Sequence, residues 1–448
     1  MKYPFLEKRN IFVIPVGDYF SNSPEACFLV YSPLGNIFFL ALPSQVEKLE
    51  TQAMYNETDK LLDVLSNYSP LEERNPYGVS YDATSTFYIL LNEKCNFHCK
   101  YCYSAEGRSN EELSIEQIYT ALKYFLSSER NAPKTKTIMF MGGGEPTLSW
   151  HLVEQATLFA EKQALENNII LKKQLSTNGS VLTQQMLDFY KSHNFELQFS
   201  FDVIPEVQNE QRGQFDKVST NLKRLGEEGV KCRIRSTVTN LNVERMMEMV
   251  ELCHGEYPNV KHLTCEHVVD PDFFSTTEIV TNFYNQYFDS FIEARTSADK
   301  YNIELFSTSS GTIRALRDRF CFNLYCITPY GSLTTCPNIS SPNEKGYEDA
   351  VFGQVNNNEI VFNDKSYKRL TDGNISTYPD CKECWAKWNC GGGCPNQRRV
   401  YEPHIFNEIC VFMKRMLRHN LIHELAEKHK KTTGKNFFED ITNTLKKQ

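Results

Sequence analysis

The sequence has no long run of apolar residues and no apolar segment near its start. The first seven residues, Met1 to Glu7, include two charged side chains and form no hydrophobic stretch of the kind found in a secretory signal. No uninterrupted apolar run approaches the length that spans a membrane. We therefore expect a cytoplasmic protein that does not associate with membranes.

An excess of positive charge is also lacking. The 48 Lys and Arg residues against 56 Asp and Glu residues give a formal net charge of −8. Because a nucleic-acid partner requires a basic face that neutralises phosphates, this balance argues against such a partner. The 448 residues suffice for about three domains of ordinary size, and the 41% hydrophobic content is typical of a globular protein.

Cysteine, in contrast, is abundant, with 15 residues. In a chain with no predicted secretory signal, that number indicates metal or redox chemistry, not disulfides. Cys95, Cys99 and Cys102 have C-x3-C-x2-C spacing just after the strand-like run Phe87–Leu91. Thiolates this close can meet at one centre, and soft sulfur ligands select iron–sulfur clusters, zinc or copper(I). A four-iron cluster held by three cysteines keeps one iron open to a small molecule; a three-cysteine zinc site and a loop with incidental thiols are the alternatives.

Strand-like and helix-like segments alternate over residues 86–268. The helix after the cysteine loop is predicted to begin at Ser114, with Gln117 as its capping partner. Alternation of this kind indicates a parallel sheet and an α/β fold. The predicted strands are Thr84–Leu91, Thr137–Met141, Ile169–Leu175, Leu197–Phe201, Cys232–Val238 and His262–Val268.

Residues 1–68 are predicted to form a small unit of strands followed by two helices. Ser44 with Glu47 has capping-box spacing and predicts the start of the first helix. Residues 69–85 are rich in proline, glycine and polar residues, which predicts a linker. The predicted strands of the unit are Ile11–Ile14, Cys27–Tyr31 and Ile37–Leu42.

A second group of cysteines lies in the C-terminal third, where paired zinc ribbons are one explanation. Its spacing is C-x9-G-x4-C and then, after a gap, C-x2-C-x5-C-x3-C with one more cysteine further on. The cysteines of this pattern are Cys321, Cys336, Cys381, Cys384, Cys390, Cys394 and Cys410, and Cys326 lies outside it. Four others are expected to be small buried hydrophobic residues: Cys27, Cys232, Cys253 and Cys265. The last helical segment has a basic face that includes Arg415 and Arg418, which we interpret as solvated surface.

The first cysteine motif, with Tyr101 directly before its last cysteine, resembles the signature of the radical S-adenosylmethionine enzymes. The resemblance implies a [4Fe–4S] cluster on the three cysteines, with its open iron binding the amino and carboxylate groups of S-adenosyl-L-methionine. One electron then cleaves the sulfonium to give methionine and a 5′-deoxyadenosyl radical, which abstracts hydrogen from the substrate. It also implies a partial (β/α)6 TIM-like barrel, with the chemistry at the carboxyl ends of the strands.

Further cofactor residues are implied by the same resemblance. Residues 141–146 resemble the family's GGEP motif, so Gly143, Gly144 and Glu145 are expected to contact the methionine amino group, with Glu145 stabilising the ammonium. Family counterparts of the segments that end the next strands bind the ribose and the methionine carboxylate. That likeness assigns Ser176, Asn178 and Ser200 to the cofactor, with Arg235 as a further candidate. Capping of the following helices is the alternative interpretation of such polar residues.

The C-terminal cysteines match the seven-cysteine pattern of the SPASM domain, which holds two auxiliary four-iron clusters. The resemblance implies that one cluster is bound by Cys321, Cys336 and Cys394. It implies that the other is bound by Cys381, Cys384, Cys390 and Cys410. Cys326 either completes the first of these clusters or stands beside a cluster that keeps an iron open for a substrate thiolate. Together with the first motif, the chain is expected to hold three [4Fe–4S] clusters.

The N-terminal unit is similar to the winged-helix domain with which many peptide-modifying radical enzymes bind the leader of a precursor peptide, by strand addition. A domain that only caps the barrel is the alternative. The expected domains are recognition at 1–68, a linker at 69–85, the barrel at 86–268, a bridging region at 269–320, and the SPASM domain with C-terminal helices at 321–448.

These resemblances imply a maturase that installs a crosslink in a ribosomally synthesised precursor peptide. A thioether is the first choice and a carbon–carbon bond the next, with a flavodoxin- or ferredoxin-type protein as electron donor. One alternative is an anaerobic sulfatase-maturing, formylglycine-forming enzyme; those enzymes have an aspartate after the cysteine corresponding to Cys336, whereas here Pro337 follows. A non-catalytic iron–sulfur peptide-binding protein is an alternative of another class.

Overall fold

The computed structural model describes residues 3–21, 23–56, 59–68, 75–321, 324–356 and 358–446. Its strands are β1 Phe12–Pro15, β2 Phe28–Ser32, β3 Ile37–Ala41, β4 Thr86–Ile89, β5 Thr135–Phe140, β6 Ile170–Thr177, β7 Phe195–Ser200, β8 Cys232–Val238, β9 His262–His267, β10 Glu304–Phe306, β11 Leu324–Ile327, β12 Ser332–Thr334, β13 Val351–Asn356 and β14 Glu359–Phe362. Its helices are α1 Pro4–Glu7, α2 Pro43–Tyr55, α3 Lys60–Ser66, α4 Ile115–Phe125, α5 Trp150–Glu166, α6 Gln184–Ser192, α7 Pro205–Gln211, α8 Phe215–Glu227, α9 Met246–Glu256, α10 Thr277–Lys300, α11 Tyr347–Ala350, α12 Asp364–Thr371, α13 Lys387–Cys390, α14 Pro395–Val400, α15 Pro403–Thr433 and α16 Phe437–Leu445. Within the described ranges, none of these helices combines the length and the apolar character that crossing a bilayer requires.

The larger sheet is parallel along most of its length. Strands β4 to β9 lie side by side in chain order, and every neighbouring pair of them is parallel. In β7 the side chains of Phe195, Leu197 and Phe199 are buried in the core, whereas Gln198 between them points to the opposite face. The six predicted strands are therefore confirmed, and they form the parallel α/β arrangement of a partial TIM-like barrel.

This sheet extends beyond the six predicted strands. β10 adds to β9 and β11 adds to β4, both in parallel, and β12 to β14 continue the sheet as antiparallel strands. β10 has three residues and β11 has four, too few for an alternating pattern to be recognised. Parts of the expected bridging region and of the expected C-terminal domain thus contribute strands to the barrel sheet, and the domain limits stay predictions.

The starts of two helices test the capping predictions. Ser114 Oγ accepts a hydrogen bond from the Gln117 N–H at 3.2 Å, and Gln117 Oε1 accepts one from the Ser114 N–H at 3.1 Å, which confirms that capping box. The cap predicted at Ser44 is wrong. The helix begins at Pro43, and Gln45 Oε1 accepts from the Leu42 N–H at 2.8 Å. Proline is favoured in the first helical turn because its fixed φ suits the helix and its missing N–H is not needed there.

The smaller sheet, in the order β1-β2-β3, is covered on both faces. One face packs against the domain's own helices through residues such as Val46 and Leu62. The other face packs against the C-terminal part of the chain, where Leu29 shares a buried cluster with Leu421 and Phe437. Deleting residues 1–68 would therefore expose apolar surface of the C-terminal helices, so point substitutions are the better test of what this domain does.

The predicted linker is partly packed. Residues 69–74 of it lie outside the described residues. In the remainder, the Tyr81 ring stacks on Phe362 with 4.3 Å between centroids, and its hydroxyl donates to Asp364 Oδ1 at 2.6 Å. This segment thereby joins the start of the barrel to β14.

His419 of α15 lies where the N-terminal domain, α10 and α15 meet. Its ring centroid is 5.4 Å from that of Phe288 in α10 and 6.4 Å from that of Tyr19. Its Nε2 atom is buried without a hydrogen-bond partner among the described residues. Protonating this ring would therefore place a charge among apolar and cationic groups.

We expect this histidine to make the fold sensitive to acid. Burial, together with the positive charges of Arg295, His423 and Arg415, lowers the pKa of His419 from 6.5 to about 4. The unfolded chain binds the proton more readily than the folded one. The contribution of neutral His419 to the free energy of unfolding is therefore fully present above pH 6.5 and is lost as the pH falls toward 4. Urea unfolding is expected to give a free energy about 1 kcal/mol lower at pH 5.5 than at pH 7.5 from this group. His419→Gln should remove that component, and a variant with the wild-type pH profile would contradict the assignment.

Candidate cofactor and metal sites

The loop that carries Cys95, Cys99 and Cys102 follows β4 at the carboxyl edge of the barrel. The carboxyl ends of adjacent parallel strands lie at the same edge of a sheet. The loops after β5 to β8 therefore lie at the same edge as the cysteine loop. The Gly144 N–H donates to Asn92 O at 2.6 Å, and the Glu145 N–H donates to Lys94 O at 2.7 Å. The two motifs singled out in the sequence are therefore in direct contact.

The three thiols face a common space. Burial raises the pKa of Cys99 to about 11; Arg212 opposes this shift, while the neighbouring Cys102 and Cys95 sulfurs add to it. In the described part of the chain, no three Cys, His, Asp or Glu side chains are arranged to hold a single metal ion. The three thiols are close enough to affect one another's charge, and their ligation of an iron–sulfur cluster stays a prediction beside the three-cysteine zinc alternative.

The glycines after β5 are required by close packing. Gly143 has a φ of +57°, in the left-handed region that glycine adopts readily. A Cβ atom at Gly144 would lie 1.9 Å from Lys94 O. Because the N–H groups of Gly144 and Glu145 already bind the cysteine loop, this segment would have to use its other groups to contact a cofactor.

Glu145 is buried and holds the ends of two strands together. Its Oε1 atom accepts from the Thr147 N–H at 3.0 Å, from Thr147 Oγ1 at 2.7 Å and from Thr177 Oγ1 at 2.6 Å. Its Oε2 atom accepts from the Asn178 N–H at 2.7 Å. The carboxylate thus already has four protein donors, and its expected contact with an ammonium group stays a prediction.

Asn178 links β6 to the cysteine loop. Its Nδ2 atom donates to Asn96 Oδ1 at 2.9 Å and lies 3.9 Å from Cys95 Sγ. Its Oδ1 atom accepts from the Ser180 N–H at 2.9 Å. The side chain therefore reaches the thiol motif in addition to shaping its own turn.

Ser176, Ser200 and Arg235 lie on neighbouring strands at the same edge. Ser176 is opposite Gln198 in register, and its Oγ atom accepts from Gln198 Nε2 at 3.1 Å. Ser200, the last residue of β7, is opposite Arg235 of β8. The three residues therefore lie on adjacent strands, and their roles in binding the cofactor stay predictions.

Tyr101 takes part in a buried polar network below the cysteine loop. Its hydroxyl donates to Asp202 Oδ2 at 2.7 Å and accepts from Arg212 Nη1 at 2.8 Å. Asp202 Oδ1 accepts from Ser236 Oγ at 3.1 Å and from the Thr237 N–H at 3.0 Å. The network ties the loop to the ends of β7 and β8, and it leaves the Tyr101 ring, not its hydroxyl, for any contact with a cofactor.

Arg108 is a functional candidate that the sequence reasoning missed. Its Nη2 atom donates to Cys102 Sγ at 3.0 Å, and its Nη1 atom donates to Gly143 O at 2.7 Å. Burial works against the charged form, but the Cys102 and Cys95 sulfurs raise the pKa of Arg108 above its usual value. A cationic group close in sequence to clustered cysteines was the available signal.

Buried oxygens without partners surround the same loop. Among the described residues, no hydrogen-bond partner is found for Asn92 Oδ1 or Ser104 Oγ. Buried polar groups are rarely left unsatisfied in native proteins. A ligand with N–H donors, such as the methionine part of S-adenosyl-L-methionine, would satisfy acceptors of this kind, so the residues present fit such a cofactor.

Replacing Arg108 should weaken the site. We expect Arg108→Leu to lower iron retention against a chelator by about 10- to 100-fold, because groups that hydrogen-bond to metal ligands contribute on that scale. Arg108→Lys should recover part of the loss, since it keeps the charge but cannot make both hydrogen bonds. Arg369→Leu is the matched control, because Arg369 forms an exposed ion pair with Asp349. Equal iron retention in the Arg108 and Arg369 variants would contradict this role.

Four C-terminal thiols lie close together, and Cys326 among them is buried. Burial raises the pKa of Cys321 to about 12, and the neighbouring Cys394 and Cys336 sulfurs add to the shift. Burial likewise raises the pKa of Cys326, with Cys336 and Cys321 as its neighbours. Cys326 is on β11, opposite Thr334 of β12. The structure thus brings Cys326 to the three cysteines that the resemblance assigns to one cluster.

The other four thiols surround a cavity of about 280 Å³. Burial raises the pKa of Cys410 to about 12; Cys390, Cys384 and Cys381 add to the shift, and Arg398 opposes it. Arg398 Nη2 lies 3.6 Å from Cys381 Sγ. These are the four cysteines that the resemblance assigns to the second auxiliary cluster, and Arg398 is a neighbour that the sequence reasoning missed.

Gly391, Gly392 and Gly393 explain why the two groups interleave along the chain. Their φ angles of +68°, +88° and +77° are all in the left-handed region. A Cβ atom would lie 2.8 Å from the Tyr378 ring at Gly392 and 2.7 Å from the Phe406 ring at Gly393. Only glycine tolerates this turn, which directs Cys390 and Cys394, on either side of it, into different groups.

Comparisons with known proteins identify relatives of the barrel and of most of the chain. Residues 89–253 match the profile of the radical SAM superfamily. A cysteine-type anaerobic sulfatase-maturating enzyme of Clostridium novyi is 25% identical over 344 residues, which cover 70% of this chain and 88% of that enzyme.

Solved structures give the same fold. Native anSMEcpe with bound AdoMet superposes with a TM-score of 0.59 at 18% identity, over 75% of this chain and 98% of that one. Streptococcus suis SuiB bound to precursor peptide SuiA superposes with a TM-score of 0.52 at 14% identity, over 83% of this chain and 94% of that one. At these identities the likeness concerns the fold.

Proposed function

Because this chain is a radical S-adenosylmethionine enzyme, we propose that it matures a ribosomally synthesised precursor peptide by installing a crosslink, with a thioether as the first choice and a carbon–carbon bond as the next. The observation that carries the proposal is the contact between the cysteine loop and the Gly143–Glu145 segment at the carboxyl edge of the barrel. The C-terminal thiol groups in the same chain support an oxidative outcome, since crosslinking releases electrons as well as hydrogens.

The residues at the barrel edge have distinct tasks in this proposal. Cys95, Cys99 and Cys102 would hold a [4Fe–4S] cluster, which together with bound S-adenosyl-L-methionine would supply radical hydrogen abstraction from the peptide. Arg108 offsets thiolate charge at Cys102, at 3.0 Å. Glu145 connects the segments that follow β5 and β6 through hydrogen bonds. The polar residues at the ends of β6 to β8 bind the methionine carboxylate and the ribose.

The auxiliary groups act as electron acceptors in this scheme. Cys326 lies with Cys321, Cys336 and Cys394, which supports full protein ligation of the first auxiliary cluster. A cluster with four cysteine ligands has no open iron to hold a substrate thiolate. We therefore assign both auxiliary clusters to accepting the electrons that crosslinking releases, and a flavodoxin- or ferredoxin-type protein would be the electron donor for the first cluster.

The N-terminal domain offers a surface for an extended peptide. In the described part of the chain, β3 pairs with β2 alone, so its outer edge can accept an added strand. The adjacent helix α3 buries Leu62 and Leu65 against the sheet and exposes Leu61 and Val64. A strand with apolar residues on one face, paired to β3 and resting on α3, would cover both features.

We expect Val64→Asp to weaken precursor binding by about 10-fold or more, since it replaces an apolar contact with a charge. Fluorescence anisotropy of a labelled leader peptide measures this. Leu158→Asp is the matched control: Val64 and Leu158 are both 53% exposed, and Leu158 is on the outer barrel helix α5. Equal affinities for the two variants would exclude α3 from the recognition surface.

A second candidate function is formylglycine formation on a sulfatase. The 25% identity with the Clostridium novyi enzyme over 88% of its length favours it. The departure at Pro337, where those enzymes have an aspartate, argues for the peptide crosslink instead.

Mass spectrometry of the product separates the two candidates. Anaerobically reconstituted enzyme would be incubated with S-adenosyl-L-methionine, a reductant and either a short precursor peptide encoded beside the gene or a sulfatase-derived peptide. A crosslink gives a loss of two hydrogens and a linked fragment pair, whereas formylglycine gives an aldehyde that reacts with hydrazine. Aldehyde formation without any crosslinked precursor would overturn our first choice.

A further inference from the structure

A buried hydrogen bond connects the N-terminal domain to the second auxiliary thiol group. The hydroxyl of Tyr31 in β2 donates to Asn389 Oδ1 at 2.8 Å. Asn389 is 2% exposed and directly precedes Cys390. A second link is close by, because Trp388 Nε1 donates to Asn10 Oδ1 at 2.9 Å. Two side chains of the first domain thus bind consecutive residues of the short helix that ends at Cys390.

Asn389 is also the centre of a wider set of bonds. Its Nδ2 atom donates to Ala315 O at 3.0 Å and to Thr312 O at 3.3 Å. Its backbone carbonyl accepts from Arg317 Nε at 3.1 Å, and the Arg317 N–H donates to Trp388 O at 2.8 Å. The Asn389 carbonyl is therefore one of two anchors of the Arg317 guanidinium, the other being Phe320 O, which accepts from Arg317 Nη1 at 3.2 Å.

Arg317 lies between the two auxiliary thiol groups. It interacts electrostatically with Cys390 of one group and with Cys321 of the other. A cation next to an iron–sulfur cluster stabilises the reduced state, which carries more negative charge, so it raises the reduction potential. Arg317 is partly buried, so water screens this effect less than it would at an exposed site.

We propose that Tyr31 is a positioning residue for the auxiliary clusters: through Asn389 it fixes the Cys390 turn and the Arg317 guanidinium, and thereby raises the reduction potential of the clusters. This inference rests on the proposed function in one respect, namely that the two thiol groups hold clusters. It gives the N-terminal domain a task inside the electron-transfer machinery, in addition to any contact with a peptide.

The test is a redox titration of the full-length protein with all clusters, followed by electron paramagnetic resonance. Tyr31→Phe keeps the ring in the buried layer and removes only the hydroxyl. We expect it to shift the midpoint potential of at least one auxiliary cluster to more negative values, with unchanged iron content. Tyr55→Phe is the matched control, because Tyr55 belongs to the same domain and is 66% exposed.

Arg317→Met tests the second step. It should shift the same potential further in the same direction, and the double variant should show no added effect of Tyr31→Phe, because the hydroxyl acts through the guanidinium. Potentials in Tyr31→Phe that equal those of Tyr55→Phe, or additive shifts in the double variant, would overturn the inference. If the thiol groups hold no clusters, the wild-type protein itself gives no auxiliary cluster signal, which differs from clusters whose potentials Tyr31→Phe leaves unchanged.

Discussion

Replacing Cys95, Cys99 and Cys102 with alanine is expected to reduce 5′-deoxyadenosine formation to the background level. All three side chains face one space in the loop after β4, and no other cysteine is in that loop. Without thiolates the cluster has no protein ligands, and ligation is a condition for its chemistry. The product would be quantified by liquid chromatography after anaerobic reduction with dithionite.

The control for this experiment is Cys232→Ala. Cys232 is in β8, its Sγ atom donates to Arg233 O at 3.3 Å, and it belongs to none of the three thiol groups described above. We expect this variant to form 5′-deoxyadenosine at the wild-type rate. Cofactor cleavage that persists in the triple variant would mean that the cluster is bound elsewhere, and the proposed site would have to be abandoned.

Replacing Cys410 with alanine is expected to separate cofactor cleavage from product formation. Cys410 is on α15, far in sequence from the barrel loop, and its thiol neighbours are Cys390, Cys384 and Cys381. Loss of one of four ligands should remove or open the second auxiliary cluster. We expect crosslinked peptide to fall by about 100-fold or more, while 5′-deoxyadenosine still forms, because the first cluster is untouched.

Cys253→Ala is the control for Cys410→Ala. Cys253 is fully buried in the barrel core, so this variant reports the cost of removing a buried sulfur without removing a cluster ligand. Iron content and circular dichroism would be measured for both proteins. A Cys410 variant that crosslinks as well as the Cys253 variant would show that the second auxiliary cluster has no part in turnover.

Several sequence predictions failed or were incomplete for reasons that are physical. Ser44 has a capping residue's chemistry, but the proline before it begins the helix one residue earlier. The basic face of α15 is predicted to be solvated, and Lys430 and Lys431 are exposed; Arg415 in addition pairs with Asp289 at 2.9 Å, which the local pattern does not indicate. Glu145 accepts hydrogen bonds from four donors of residues 147 to 178, so its expected contact with an ammonium group, which stays a prediction, has to form beside them. In each case the deciding partner is a residue that the local pattern does not include.

The sequence by itself determined the elements whose information is local. These elements are the three thiols within eight residues, the glycine run after a strand, and the strands and helices with periods of two and of about 3.6 residues. The local structure of each depends on residues that are close along the chain. Only the tertiary structure decided how Cys326 joins a thiol group, why Arg108 meets Cys102, and that Tyr31 contacts Asn389, 358 positions away. Such contacts depend on which surfaces pack together after the chain has folded, and no spacing along the chain encodes them.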